Sequence, residues 1–137
     1  MAKKKALDRA AILAAQDLTL TPVEVPEWGG VVMVRPMTGK DRDEFESVMM
    51  LNEKQGLGVA YGLRARIVAL VACDENGARL FELADVEALG AKNFFALNRI
   101  VDVAQKLNGI GGAEVEEIKE NSEAGRNGDS ISGSLAN

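Results

Sequence analysis

Four carboxylates crowd one short stretch of the chain and form its densest group of side chains able to act as acids or metal ligands. They are Asp41, Asp43, Glu44 and Glu46. Carboxylate oxygens bind divalent cations and transfer protons, so a metal site or an acid–base pair is one interpretation. The other is a helix start, because the helix dipole stabilises anions in the first turns. The sequence around them offers no partner ligand, and we favour the helix start.

Two further patterns approach catalytic or cofactor motifs but lack essential residues. Gly56, Gly58 and Gly62 come near the spacing of a phosphate-binding loop, yet Tyr61 occupies the sixth position of GxGxxG and no GK[ST] follows. We therefore expect a flexible joint before a helix there. Cys73 is the single cysteine, and the chain has no histidine to activate it. We interpret it as a buried cysteine that behaves as a small apolar residue.

Composition disfavours several functional classes. The absence of histidine removes the usual general base near neutral pH and most transition-metal ligand sets. A net charge of −5 disfavours nucleic acid, since phosphate contacts require clustered Lys and Arg. No apolar run reaches the roughly 18 residues that cross a bilayer, and a single cysteine leaves no internal disulfide, as in a reducing cytoplasm. We expect no enzymatic activity, no cofactor, no metal, and neither a nucleic-acid nor a membrane partner.

The stretch at residues 23–35, VEVPEWGGVVMVR, contains the residues that we expect to bind a partner. Apolar residues alternate on each side of a Pro/Gly cluster, a pattern typical of a β-hairpin. The second strand is apolar on both faces, so helices should cover one face and more helix or another subunit the other. Pro22 and Pro26 lack amide hydrogens, which favours an edge position for the first strand.

Trp28, the only tryptophan, lies in the turn of this hairpin. Two interpretations stay open: the indole packs back onto the domain, or a partner contacts it, as tryptophan is enriched in binding hot spots. We predict a protein-binding site formed by Trp28, Val31, Met33 and Arg35. Glu27 is a further polar candidate beside the tryptophan.

Helical patterns on both sides of the hairpin must position it. Alanine-rich residues 4–17 predict an N-terminal helix with a weak apolar stripe. Thr38 and Asp41 form a variant of the capping box, which predicts a helix ending at about residue 52. Residues 60–72 have the strongest stripe and should form the central core helix, ended by a turn at residues 74–77.

Two more helices are predicted further along the chain. One is short, near residues 84–89, and the other runs from about residue 92 to 108. Phe94 and Leu107 should lie on the inner face of the longer helix, with Phe95 in support. In the preceding core helix, the two arginines at positions 64 and 66 should point to different sides, so they should not form one anion clamp.

These elements define an α+β, predominantly helical fold. A β-hairpin at about residues 19–35 precedes a bundle of about four helices. We expect a single domain at residues 1–121, which includes a short acidic surface helix at residues 113–121. Residues 122–137 are rich in Gly and Ser and nearly devoid of large apolar groups, so we expect a disordered, flexible tail.

Two blocks of the chain are specific enough to indicate a family. The first is PEWGG–VR, within VEVPEWGGVVMVRPMTGKDRDEFE at residues 23–46, and the second is AQKLNGIGG at residues 104–112, before the acidic stretch. Shorter agreement is found in ILAAQDL at 12–18, RIVALVACDENGARLF at 66–81 and DVEALG at 85–90. Together they resemble the tail assembly chaperones of long-tailed (siphovirus-type) bacteriophages or prophages, over about residues 7–121.

The resemblance implies a non-catalytic, mostly helical late protein that binds the tape-measure protein and keeps it soluble during phage tail assembly. Such proteins help recruit tail-tube subunits, self-associate, and are absent from the mature particle. The expected location is the cytoplasm of the infected or lysogenic bacterial host, not the virion. The family often has a longer product made by translational frameshift, and this chain would be the shorter one.

Two other functions stay open. One is a permanent structural or connector component of a phage tail. The other is a small helical regulatory DNA-binding protein that would use the helices at residues 84–108, although the acidic balance disfavours it. Presence in purified virions would favour the first, and salt-dependent binding to duplex DNA would favour the second.

Overall fold

A computed structural model describes residues 4–58 and 60–110 of the 137-residue chain. The predicted acidic helix at 113–121 and the predicted tail at 122–137 lie outside the described residues. The elements, in chain order, are α1 (Arg9–Ala14), β1 (Thr21–Val25), β2 (Gly30–Val34), α2 (Gly39–Lys54), α3 (Leu63–Val71), β3 (Ala72–Cys73), α4 (Val86–Gly90) and α5 (Phe94–Asn108). The predominantly helical α+β fold with an N-terminal hairpin is therefore confirmed.

The strands form one antiparallel sheet in the order β1–β2–β3. β1 and β2 are the predicted hairpin, in a register that places Val23 opposite Val32 and Thr21 opposite Val34. β1 lies at the edge of the sheet, which fits Pro22, a residue with no amide hydrogen to donate to a further strand.

The third strand is the element that the sequence analysis does not predict. Ala72 leaves the helical conformation at φ −70° and ψ 127°, and it pairs with Val34 across the sheet. Two backbone hydrogen bonds hold the chain in place there: Arg35 donates to the carbonyl of Val71 at 2.9 Å, and Leu80 donates to that of Ala72 at 3.0 Å. The core helix therefore ends at Val71, before the predicted turn.

α3 runs through the centre of the hydrophobic core, as its apolar stripe predicts. Seven of its nine residues are buried, from Leu63 to Val71. α5 packs against α3 and against the sheet, and Ile100 and Ala104 are fully buried on its inner face. Among the residues described, no helix has the length and apolar character needed to span a membrane.

α2 begins with the predicted capping box. The Thr38 hydroxyl accepts a hydrogen bond from the backbone N–H of Asp41, and the Asp41 carboxylate accepts one from the N–H of Thr38, each at 3.0 Å. This reciprocal pair of hydrogen bonds satisfies two backbone N–H groups, those of Thr38 and Asp41, that have no acceptor within the helix. The helix ends at Lys54, close to the predicted end.

Three predicted core residues of the last helix are in fact exposed. Phe94 is 47% exposed, Phe95 65% and Leu107 38%. α5 begins at Phe94, so both phenylalanines lie in its first turn, and the guanidinium of Arg64 lies 4.8 Å from the centre of the Phe94 ring. The buried face of α5 consists of Ala96 and of four residues at the predicted spacing, Leu97, Ile100, Val101 and Ala104.

The N-terminal helix is shorter than predicted, and it contributes nothing to the core. α1 spans Arg9–Ala14 and has no buried residue. Leu7 and Leu13 are each 68% exposed, and Ile12 is 57% exposed. The side chain of Asp8 caps the helix by accepting from the N–H of Ala11 at 2.9 Å. Residues 4–19 therefore form an exposed arm.

Candidate functional site

The hairpin turn holds Trp28 at the end of the sheet. Pro26–Trp28 forms one turn of 3-10 helix, and Gly29 follows with φ 73°, a conformation that glycine adopts without steric cost. Arg99 of α5 donates to the two carboxylate oxygens of Glu27 at 2.8 and 3.0 Å, and these hydrogen bonds lower the pKa of Glu27. Trp28 is 38% exposed, so part of the indole faces solvent.

The sheet has a buried inner face and an open outer face. Side chains alternate along a strand, and Val23, Val32 and Val34 belong to or pack on the core. On the opposite face of β2, Val31 is 57% exposed and Met33 is half-buried. The expected helical cover is present on the inner side, where α5 contacts β1 and β2. We call Trp28, Val31 and Met33 the hairpin surface.

Arg35 lies inside the protein, apart from the hairpin surface. Its Nη2 donates to the Asp41 carboxylate at 2.6 Å, and its side chain is 11% exposed. Its Nε donates to the Leu70 carbonyl and its Nη1 to the Gly77 carbonyl, both at 3.4 Å. Arg79 stands 3.7 Å from the other oxygen of Asp41. Arg35 thus joins the end of β2 to α2 and to the end of α3.

The four carboxylates of α2 lie in different environments. Asp41 is buried between two arginines and accepts a hydrogen bond from the N–H of the N-cap residue Thr38, whereas Asp43 and Glu46 are exposed. Glu46 pairs with Arg42, one helical turn before it, at 3.2 Å. Within residues 4–58 and 60–110, no cluster of three or more His, Cys, Asp or Glu side chains has the arrangement to hold a metal ion. The helix-start interpretation is therefore confirmed for Asp41, which lies in the first turn of α2 and completes the capping box with Thr38.

Cys73 and the glycines near residue 60 have structural roles. Cys73 is 2% exposed, and its thiol donates to the Met33 carbonyl at 3.5 Å. Burial raises the pKa of this thiol, so the interpretation as a buried apolar cysteine is confirmed. Gly56 and Gly62 have φ of 79° and 68°, and Gly62 directly precedes α3. The two glycines therefore let the chain turn between α2 and α3.

A groove that the sequence analysis misses lies between the end of α2, the start of α3, and the segment leading into α4. Its volume is about 860 Å³. Its lining includes Arg66, Tyr61 and Leu83, which come from two separate segments of the chain. The Nε of Arg66 is buried and has no hydrogen-bond partner, the one such side-chain atom among the residues described. We call this feature the Arg66 groove.

No protein-family model matches the chain, and no curated protein sequence matches it. A solved structure, the bacteriophage HK97 tail assembly chaperone, is similar with a TM-score of 0.51 and 19% sequence identity. The match covers 72% of this chain and 90% of the HK97 chain. The chain therefore shares its fold with a phage tail assembly chaperone, the family that the blocks at residues 23–46 and 104–112 resemble.

Proposed function

We propose that this chain is a non-catalytic tail assembly chaperone of a long-tailed phage or prophage. The shared fold with the HK97 protein carries the proposal, and the resemblance in the PEWGG–VR block agrees with it. Its partner would be the tape-measure protein, which it would keep soluble during tail assembly while helping to recruit tail-tube subunits. A transient escort of this kind acts in the cytoplasm of the host bacterium and is absent from the finished virion.

The hairpin surface is the proposed contact with the partner. Val31 exposes an aliphatic side chain on β2, and Trp28 offers a partly exposed indole at the adjacent turn. Apolar and aromatic groups of this kind stabilise complexes once a partner removes them from water. The forked contact between Glu27 and Arg99 holds the turn against α5, and Arg35 supports the other end of β2 from the interior.

Self-association is part of the proposal because the N-terminal arm exposes apolar side chains of its own. Leu7, Ile12 and Leu13 are all more than half exposed. An arm that packs on a second copy would cover them. Several copies linked in this way would present several hairpin surfaces to one long partner, and multiple weak contacts give a tight but reversible complex.

Co-production with the tape-measure protein in bacteria tests the proposal. The wild-type chain should keep the tape-measure protein in the soluble fraction. Val31→Asp should place a charge on the hairpin surface and should lose this effect, and Trp28→Ala should weaken it. Met50→Asp is the matched control, since Met50 of α2 is an equally apolar side chain, 64% exposed, outside the hairpin.

Two results would count against the proposal, in whole or in part. If the wild type leaves the tape-measure protein insoluble, the assignment as its chaperone is wrong. If the wild type, Val31→Asp and Met50→Asp all keep it soluble to the same extent, the chaperone role stands and the hairpin surface is not the contact.

A further inference from the structure

The Arg66 groove contains an arginine without an internal partner. A guanidinium remains charged at every physiological pH and presents several N–H donors. A buried N–H that makes no hydrogen bond destabilises the fold unless a ligand supplies an acceptor. No carboxylate of the described residues forms an ion pair with Arg66. The groove is therefore suited to a hydrogen-bond acceptor that the described residues do not supply. A carboxylate makes the strongest hydrogen bond to a guanidinium.

The walls of the groove combine polar and apolar groups. Tyr61 and Leu83 are 64% and 53% exposed along it, and Val86 adds an aliphatic side chain. At the floor, α3 and α4 approach closely, since a Cβ on Gly90 would stand 3.8 Å from that of Ala65. These features fit a chain segment with both apolar and acidic side chains.

Ala65 and Gly90 also line a second depression, which lies beside the start of α5. Arg64, Lys92 and Phe94 line that part. Neither Arg64 nor Lys92 forms an ion pair within the described part of the chain. Arg64 and Arg66 are two positions apart on α3 and line different depressions, but the two depressions share Gly62, Ala65 and Gly90 and together have three cations against a single lining carboxylate, Glu87. Taken together, the two adjoining depressions therefore have an excess of positive charge that is complementary to an acidic segment.

The chain itself contains a segment of that chemistry at residues 113–121, AEVEEIKEN. It has four glutamates, one lysine and two aliphatic residues, in the order Glu114, Val115, Glu116, Glu117, Ile118, Lys119 and Glu120. We propose that this acidic segment docks in the Arg66 groove of its own chain, where a glutamate carboxylate pairs with the guanidinium of Arg66. Val115 and Ile118 then lie against Leu83 and Tyr61.

The distance from the end of α5 permits this contact. Arg42 donates to the Asn108 carbonyl at 2.9 Å, so the chain leaves α5 beside the start of α2. Asn52 lines the groove ten residues further along α2, which is about 15 Å along a helix. Ile110 is the last described residue, and the ten residues that follow it span up to about 33 Å when extended.

A spin label in the full chain provides the test. Ser122→Cys places a reactive thiol just after the acidic segment, while the native cysteine is buried and 2% exposed. With a nitroxide attached there, the amide resonances of Tyr61, Gly62 and Gly90 should lose more than half of their intensity. Those of Gly29 and Gly30, in the hairpin turn, serve as internal controls and should keep theirs.

Two variants of the labelled chain separate docking from chance proximity. Replacing the four glutamates of residues 113–121 with glutamine should restore the groove resonances, and so should Arg66→Gln. The glutamate variant changes no residue of the described fold, so it stays informative if Arg66→Gln fails to fold. Groove resonances of full intensity in the labelled wild type, or broadening that survives the glutamate variant, would overturn the proposal.

A mixed sample identifies the source of the segment. Spin-labelled chain without isotope is added to isotope-labelled chain without the nitroxide. The proposal expects no broadening in this mixture. Broadening of the groove resonances would show that the segment comes from a second copy and would overturn the assignment to the same chain.

Discussion

Asp41→Ala should strongly destabilise the protein. Asp41 is 6% exposed and is the acceptor for Arg35 at 2.6 Å and for the N–H of Thr38 at 3.0 Å. Its removal leaves the guanidinium of Arg35, 11% exposed, in the interior without its carboxylate. Breaking a buried ion pair on one side costs about 3–5 kcal/mol, largely because an uncompensated charge stays buried. The lost hydrogen bond from the N–H of Thr38 adds about 0.5–1.5 kcal/mol.

The expected loss is a large part of the free energy of unfolding of an ordinary domain, which is about 5–15 kcal/mol. Urea unfolding monitored by Trp28 fluorescence and by far-ultraviolet circular dichroism measures it. Asp43→Ala is the matched control, since Asp43 is exposed in the same helix two residues later. We expect the control to change the free energy of unfolding by less than about 0.5 kcal/mol. A loss below about 1 kcal/mol for Asp41→Ala would refute the role assigned to this ion pair.

Three other substitutions or reactions test separate parts of the structure. Because Arg99 lowers the pKa of Glu27, the stabilisation by this carboxylate is present above the ordinary carboxyl range and is lost as the pH falls through the lowered value. The difference in urea midpoint between wild type and Glu27→Gln should therefore shrink on acidification, and a constant difference would contradict this. Cys73 should react with a thiol reagent far more slowly in the folded chain than in urea, because it is buried and its pKa is raised; equal rates would place it at the surface. Ile100→Ala should cost about 2–5 kcal/mol of unfolding free energy. Phe95→Ala on the same helix, 65% exposed, should cost much less, and equal losses would contradict the assigned core.

The hairpin and α2 were predictable because their signals are local. A Pro/Gly cluster between two runs of alternating apolar residues leaves few options other than a chain reversal. A capping residue and its partner three positions later mark a helix start in any context. For the same reason α5 ends at Asn108, as predicted, and Gly109 follows it with φ 64°.

β3 could not be predicted because it depends on contacts distant in sequence. Ala72 and Cys73 continue the apolar pattern of α3, and the local signal for a helix end, the turn at residues 74–77, comes only after them. The strand exists because β2 pairs with it across about forty intervening residues. The exposed Phe94 is a similar case, since helical spacing identifies a face but does not show where the core beneath that face ends.

Of the four residues predicted to bind a partner, Arg35 lies apart from the other three, and the sequence spacing does not show why. Arg35 follows β2 directly, and an arginine at a strand end is ordinarily exposed. Here a buried acceptor, Asp41, and two backbone carbonyls draw it inward. The Arg66 groove could not be predicted from the sequence for a related reason. Its walls come from separate segments of the chain, and only folding brings them together.

We propose that the chain accompanies the tape-measure protein during assembly and then leaves. Quantitative mass spectrometry should be applied to tape-measure complexes isolated from producing cells and, in the same experiment, to purified virions. We predict that the chain is abundant in the intracellular complexes and absent from the virions. A fixed number of copies in every virion would contradict the claim and identify the chain as a permanent part of the tail.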